Sequence, residues 1–585
     1  MMGLVRSERG RVARLCAGGD AEATEVWNAQ VKQRIESALL ASGAPNAADT
    51  WRRTRAQVDR YVGEWTASYA QTCTATRVNQ VQSEQVMTIR MACLEQRRDE
   101  VRALAQVLAT ADRDVANNAL QAAMGLTGVD RCKDFVALTA VEPEPTDAAA
   151  VTEIAAIRRE LATAKANLDT VRSGAALQEI EPLVARARKV AYAPLLAEVL
   201  LASARAKATS GVSRDVGIDE GTQAVIAADA GRADGTRAEA ATWLIRWTTD
   251  AGRYDEAERW SRVAEAALRR AGDEGQRKAE WLAALAWLHD AKGRAKESAA
   301  YFRDALDTAR RAGADVRTIA GLERDLAQEE AGLGQGEDAE RLLDDADASI
   351  VPAMGEEHPA RIPFLRARSY VAAVANDNRR ALGWEKRAIE LAERVQPDNS
   401  MLSHSYNNAC SELHSLGDDA GALAYCEKAI ASGLRVQGPE SSHMGYAYTN
   451  MGDVLSGLRR YEESIEYFTR AIHVNEKNGA EHETNFVHAL LGVGRARVFI
   501  GKPREALEPL ERALKASATA EAESPEWQTA LADVRFTLAR ALWETGARGA
   551  RAFELAREAA DIDDRIQRVD EARAARAWLT EHRAD

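Results

Sequence analysis

No run of about 18 apolar residues occurs in the 585-residue chain, so nothing in it reads as a membrane span. The opening Met1–Gly10 is basic but has no apolar core behind it, which is not the pattern of an export signal, and no apolar stretch precedes Arg14-Leu-Cys16 as a lipid-attachment box requires. Aromatic residues make up 5% of the chain and strand-like runs of Val, Ile and Thr are missing, which excludes a sheet-based fold. Positive charge is not in excess: the formal net charge of −13 argues against a phosphate-binding surface, so nucleic acid is not an expected partner. The six cysteines never take the close CxxC spacing of a zinc site. Catalytic signatures are missing too: no strand-linked GxGxxG, HRD loop or DFG triplet, no HExxH and no deaminase zinc signature. The nearest glycine cluster, Gly332-Leu-Gly-Gln-Gly336, lacks a following Lys-Ser/Thr and reads as a helix terminator. Nine histidines are scattered, with a looser group at His404, His414, His443, His473, His482 and His488 that reads as exposed helix residues rather than a metal site. No catalytic residue, cofactor or metal is therefore expected.

What is present is a period. Small or apolar residues at Tyr448, Met451, Gly452 and Leu455, then Ser464, Phe468 and Ala471, have helical spacing on either side of a turn. The small residue opening the second helix recurs as Ala257, Ser298, Ala339, Ala381, Ala422, Ser464 and Ala506, at intervals of 41, 41, 42, 41, 42 and 42. Seven residues after each stands an alanine: Ala264, Ala305, Ala346, Ala388, Ala429, Ala471 and Ala513. The turns carry Gly252, Gly293, Gly334, Asn376, Gly417, Arg459 and Gly501; glycine and asparagine suit a left-handed helix end, and Arg459 breaks that rule. This pattern resembles the tetratricopeptide repeat in the longer form seen in kinesin light chains. The implied fold is all-α: a tetratricopeptide-repeat superhelix of long, 41–42-residue repeats preceded by a smaller helical N-terminal domain.

Read along the chain, residues 1–20 form a polar leader that packs weakly and 21–141 an N-terminal helical domain. Residues 142–149 form a linker, 150–569 the repeat array and 570–585 a capping helix for its last apolar face. The N-terminal helices are expected over Ala23–Ala41, from Trp51 to about Thr76 with Asp49 or Thr50 as cap, over Glu84–Thr110 capped by Ser83, and from near Arg113 to Gly125. The prolines of Glu142-Pro-Glu-Pro-Thr-Asp147 interrupt the helices. Two irregular hairpins follow. Ser173-Gly174 turns the first, and the second, Leu195 to Asp229, has an awkward connection from Gly211 to Gly221. A final hairpin spans Arg535 to Ile562 with a longer turn at Gly546-Ala-Arg-Gly-Ala.

Cys73 and Cys93 each stand ten residues from Ser83; a helical hairpin turning near 78–83 would put them at matching heights, either bridged or as two small buried thiols. Cys410 and Cys426 read as core thiols filling ordinary repeat positions, with a bridge inside that repeat as the other reading. A second resemblance rests on Trp65-Thr-Ala-Ser-Tyr-Ala-Gln-Thr-Cys73-Thr-Ala-Thr76, Gln82-Ser83, Arg90-Met-Ala-Cys93-Leu-Glu-Gln-Arg97, Cys132-Lys-Asp134, the upstream Cys16-Ala-Gly-Gly-Asp20 with Trp27, and the terminal Ala577-Trp-Leu-Thr-Glu-His582. These are similar to the region that follows the kinase domain and membrane span in myxobacterial-type serine/threonine protein kinases; the kinase half has no counterpart here. The resemblance implies an extracytoplasmic location, with a cytoplasmic one as alternative, and two bridges, Cys73–Cys93 with Cys16–Cys132 as its companion.

In tetratricopeptide proteins the first helices line a concave groove that holds peptides or partner helices, often through an asparagine that reads the partner backbone. Here that position holds Asn408 and Asn450, with Asn407 beside the first; Arg366, Tyr370, His404, His414, Asp453, His488 and Arg495 share the inner face by register. Trp243, Trp247, Trp260 and Trp281 read as inter-repeat packing, and Trp287 as an inner-face contact. The expected function is a non-catalytic scaffold for a protein or peptide ligand, the sensor or interaction half of a bacterial signalling system. The alternatives are a fragment of a kinase whose catalytic domain lies upstream and, more weakly, a regulatory repeat domain of a transcriptional regulator.

Overall fold

A computed structural model describes residues 16–209, 214–397, 400–481, 483–519, 525–546 and 549–582. Among them every regular element is helical and no strand occurs. The chain divides into two compact units, 1–367 and 368–585.

The first unit opens with α1 (Gly18–Val26), α2 (Ala29–Ala41), α3 (Ala47–Arg77), α4 (Glu84–Leu108), α5 (Arg113–Met124), a 3-10 turn (Val129–Lys133) and α6 (Phe135–Ala140). The single helix expected over Ala23–Ala41 is two, because Asn28 turns extended and its side chain accepts from Val31 N–H, capping a new start. Ser83 and Asp112 cap α4 and α5 in the same way. Trp27, Ile35, Leu39, Trp51, Val58, Trp65, Leu94, Val101 and Leu108 form one core.

The disulfide pairing differs from the one the kinase resemblance implied. Cys16 bonds Cys73, and Cys93 bonds Cys132, with Cα–Cα 5.6 Å in each. The start of α1 lies close on α3: a Cβ on Gly19 would come 2.8 Å from the Tyr69 ring, and one turn further along α3 is Cys73. On α4, Arg90 donates to the Lys133 carbonyl at 2.8 Å and holds the 3-10 turn, with Cys132, against Cys93. Each cysteine of the α3–α4 pair therefore faces a short segment, the turn before α1 or the 3-10 helix, instead of the other long helix.

The array begins at α7 (Ala148–Asp169), capped by Asp147, and continues through α8 (Ser173–Val190), α9 (Ala193–Thr209), α10 (Arg214–Ala230), α11 (Asp234–Asp250), α12 (Tyr254–Ala271), α13 (Gln276–Ala291), α14 (Ala295–Arg311), α15 (Val316–Gly332) and α16 (Gly336–Met354). Gly174 lies inside α8 rather than in a turn, and Gly217 and Gly221 lie inside α10, so the connection before α10 is shorter than expected; Gly211 falls outside the described residues. Gly221 is small because Leu244 and Trp247 press on it, each 3.0 Å from where a Cβ would sit. Helix α17 (Ile362–Val374) carries the unit boundary.

The second unit holds α18 (Asn378–Val395), α19 (Ser400–Ser415), α20 (Asp419–Val436), α21 (Ser442–Gly457), α22 (Tyr461–Lys477), α23 (Thr484–Phe499), α24 (Pro503–Thr519), α25 (Pro525–Glu544), α26 (Ala550–Arg565) and α27 (Val569–Glu581). The final hairpin starts earlier than Arg535, since Val534 and Ala532 already face the core. Ala547 and Arg548 of its turn lie outside the described residues. From α7 to α16 and from α18 to α27, consecutive helices pack in chain order.

The period has a direct physical content. All seven second-helix openers and all seven alanines that follow them are 0% exposed. All seven turn residues have positive φ, Arg459 included at 60°. At Arg459 the Arg460 N–H closes on the Leu455 carbonyl at 2.8 Å, a left-handed helix end made without glycine.

A second periodic pair, 16 residues apart, packs the two helices of a hairpin together: Ala286 with Phe302, Ala327 with Leu343, Gly452 with Phe468, and Gly494 with Leu510. One member is small wherever the other is large. A Cβ on Gly452 would stand 2.6 Å from the Phe468 ring, and one on Gly494 2.5 Å from Leu510. In the hairpin of α19 and α20 the same two positions are Cys410 and Cys426. They form a disulfide with Cα–Cα 5.3 Å, so the reading of two core thiols is corrected: both members are small, and the sulfurs meet across the seam.

Candidate functional site

Counting back from each turn residue sorts the inner-face residues into rows. Six before the turn stand Trp287, Gln328, Tyr370, Ser411, Asp453, Arg495 and Arg540. Thirteen before it stand His404, Tyr446, His488 and Asp533. Trp287 and Arg366 belong to the first unit; the other candidates belong to the second. Trp287 meets Phe302 edge-on, ring centroids 5.5 Å apart, so it closes a hairpin seam. Trp243 stacks on Trp247 and has the guanidinium groups of Arg205 and Arg246 over its ring. Arg366 is half-buried on α17.

In the second unit, Asn450 of α21 donates its amide to Asn407 Oδ1 of α19 at 3.0 Å, tying adjacent first helices; Asn407 is buried, while Asn408 and Asn450 are half-buried. His404 stacks on His443 with centroids 3.6 Å apart. His414 Nδ1 lies 2.5 Å from Asp419 Oδ1. Burial pushes the Asp453 carboxyl up, and the charges of His414, His488 and Arg495 pull it back. Arg495 is exposed and pairs with Asp533 at 2.7 Å, which also receives Arg568 at 3.0 Å. Glu412 is pushed up to about 7 by burial and by the charge of Glu385. His482 lies outside the described residues. The arrangement offers amides, imidazoles and guanidinium groups along first helices, with Tyr370, Tyr446 and Phe499 as exposed apolar residues at 45%, 44% and 60%. Sequence reasoning passed over Tyr446, Phe499, Asp533 and Arg540; the row that supplied Asp453 and Arg495 contains Arg540, and the row of His404 and His488 contains Tyr446 and Asp533.

Among the described residues no group of three or more His, Cys, Asp or Glu side chains could hold a metal ion, and no helix is long and apolar enough to cross a membrane.

Residues 445–478 match the tetratricopeptide repeat family model. The repeat at that segment is the one whose openers, turn and seam recur along both units, so the fold is an all-α array of tetratricopeptide type, preceded by a smaller helical domain; no enzyme family is indicated. No curated protein matches the chain. Among solved structures the chain is similar to a Signal Transduction ATPase with Numerous Domains protein with a tetratricopeptide repeat sensor from Pyrococcus horikoshii, at 11% identity over 87% of this chain and 74% of that one, TM-score 0.47. It is also similar to a Rap protein complexed with competence and sporulation factor, at 15% identity over 59% of this chain and 97% of that one, TM-score 0.38. A Podosopora anserina protein of kinesin-light-chain type with nearly identical TPR-like repeats gives 17% identity over 36% and 98%, TM-score 0.31. Likenesses of this size carry nothing about ligand or activity.

Proposed function

We propose that the chain is a non-catalytic scaffold whose second unit holds an extended protein or peptide segment along its first helices, as the sensor or interaction half of a bacterial signalling system. The observation that carries this reading is the amide pair Asn407–Asn450 with Asn408 beside it, flanked by the exposed rings of Tyr370 and Tyr446. A primary amide donates and accepts at once, so it matches a peptide group whatever side chains the ligand has. Selection from a random decapeptide display library against the intact chain tests it. Selected peptides bind, and Asn408→Ala weakens them at least tenfold while unfolding stability changes by no more than about 0.5 kcal/mol, as for a surface substitution. No enrichment over a blank support, or transfer of phosphate from ATP by the purified chain, counts against it.

A second reading, the outward half of a membrane-anchored kinase, draws on the six cysteines all being paired, a state that oxidising compartments favour. A non-reducing peptide map of the chain from its native source tests that location; free thiols at all six positions would remove its support.

A further inference from the structure

Besides the packing of α4 along α7, the N-terminal helices meet the first unit's array at four separated places. Arg172, at the start of α8, donates to the Thr110 carbonyl at 3.1 Å and pairs with Asp112 at 2.7 Å. The half-buried Arg131 of the 3-10 turn feels the charges of Glu239 of α11, Arg277 and Glu280 of α13, and Asp273 just before α13. Leu120 and Met124 of α5 pack with Ala320, Ala346, Ile350, Met354 and Phe364. Asn46 donates to the Glu357 carbonyl at 2.8 Å, and Arg53 to that of Ala353 at 3.1 Å. Three of these places lie where second helices end or first helices begin, from the start of α11 to the loop before α17, and the Arg172 contact lies in the turn between α7 and α8.

Hairpins of a solenoid touch only their neighbours, so their spacing is set locally unless something spans several of them. We propose that the N-terminal helices form a brace along this edge of the first unit, and that the Cys93–Cys132 bridge is the latch that holds the brace's middle contact. Cys132 is 1% exposed and adjoins Arg131, and its partner is on α4, which packs along α7. With the bridge gone, α4 holds the turn only at its two ends, through Glu100 accepting from Thr127 N–H at 3.3 Å before it and Arg90 donating to the Lys133 carbonyl at 2.8 Å after Arg131, which leaves no covalent hold beside an arginine set among four charges. Cys16–Cys73 joins the turn before α1 to α3 and supplies the matched control.

Hydrogen exchange on the full oxidised chain reads the difference, because local opening shows in individual amides. In Cys93→Ser/Cys132→Ser, amides of 129–133 and of the starts of α11 and α13 exchange at least tenfold faster than in the parent, while those of α22 and α23 keep their rates. In Cys16→Ser/Cys73→Ser the starts of α11 and α13 keep the parent rates. Unchanged exchange at α11 and α13 in the first variant, or equal acceleration in both, overturns the latch. Should Cys93→Ser/Cys132→Ser not fold, Arg131→Glu decides with the disulfides intact: it sets a fourth acid beside Glu239, Asp273 and Glu280, and parent-like rates at α11 and α13 would overturn the proposal.

Discussion

In the first unit a set of aperiodic helices lies against the ends of successive hairpins, and its contacts are made by residues with no place in the repeat: Arg172 with Asp112, Leu120 with Ile350, Asn46 with Glu357. In the second unit the named ties are internal to the repeat: Phe468 between Gly452 and Gly492, Leu510 against Gly494, Cys410 bonded to Cys426. The same hairpin is thus held in two ways. One depends on a spanning domain, the other on a complementary pair inside each hairpin and the next helix laid over it. Stability in the second unit should respond to the seam, and stability in the first to the seam and the brace together.

The largest expected effect tests the seam. A Cβ on Gly492 would stand 2.5 Å from the Phe468 ring, so that ring fills a slot between two glycines on different first helices. Glycines have no side chain to relax into the space, and Phe468→Ala should cost about 3–5 kcal/mol in denaturant unfolding of the second unit. A cost under about 1 kcal/mol would mean the slot collapses and the seam is not what holds these hairpins. Gly452→Ala should be destabilising too, and combined with Phe468→Ala should cost less than the sum, because the truncated ring no longer meets the added methyl.

The disulfide hairpin sharpens the same point. Cys410→Ala/Cys426→Ala removes a cross-link between residues 16 apart, worth about 3 kcal/mol for a loop of that length, and leaves two small residues facing each other. Cys410→Gly/Cys426→Phe instead copies the neighbouring Gly452–Phe468 pair and should recover part of that loss. If the Gly/Phe variant is no more stable than the Ala/Ala variant in thermal unfolding, the equivalence of the two seams is wrong.

A pH test separates the brace from the seam. His358 is buried under Arg53 of the brace, its Nδ1 accepting from Ala360 N–H, and burial followed by the Arg53 charge lowers it to about 4. The unfolded imidazole takes its proton near 6.5, so between those values the unfolded state binds more protons than the folded one. This contribution is complete above about pH 6.5 and is lost progressively towards pH 4, up to roughly 3 kcal/mol. His358→Asn keeps a capping acceptor and has nothing to titrate, so first-unit stability measured at pH 7 and at pH 4.5 should differ less in the variant than in the parent. Equal pH dependence in both removes His358 from the account.

How much of this could be read from residues alone follows the same division. Openers such as Ala257 and Ala506 and the alanines seven further on were legible because burial at a seam selects small side chains at a fixed period, and every one is fully buried. The helix break at Trp27-Asn28 was not, because one side-chain acceptor decides it against a continuous apolar stripe. Cysteine pairing was not, because Cys73 and Cys93 have matching spacing while their partners sit on a turn and a short 3-10 helix whose path no period records. On the inner face, the row holding Asp453 and Arg495 came from register, whereas the pairing of Asn450 with Asn407 and of Arg495 with Asp533 depends on the offset between successive hairpins.

The smallest effect concerns Arg459, the turn residue that departs from the glycine rule. Its φ of 60° is in the left-handed region, as is that of Gly417 at 78° one hairpin earlier. Both turns close with the same bond, Arg460 N–H to Leu455 O at 2.8 Å and Asp418 N–H to Leu413 O at 2.9 Å. With the hydrogen bonding matched, what differs is the dihedral cost, about 1 kcal/mol for a residue with a Cβ, partly offset by the greater chain entropy that glycine loses on folding. Arg459→Gly should therefore stabilise the second unit by about 0.5 kcal/mol and Gly417→Ala destabilise it by about 1 kcal/mol. The two measured by thermal unfolding should move in opposite directions. If Arg459→Gly destabilises, the arginine contributes through its side chain, and the turn is held by a contact that the backbone geometry does not require.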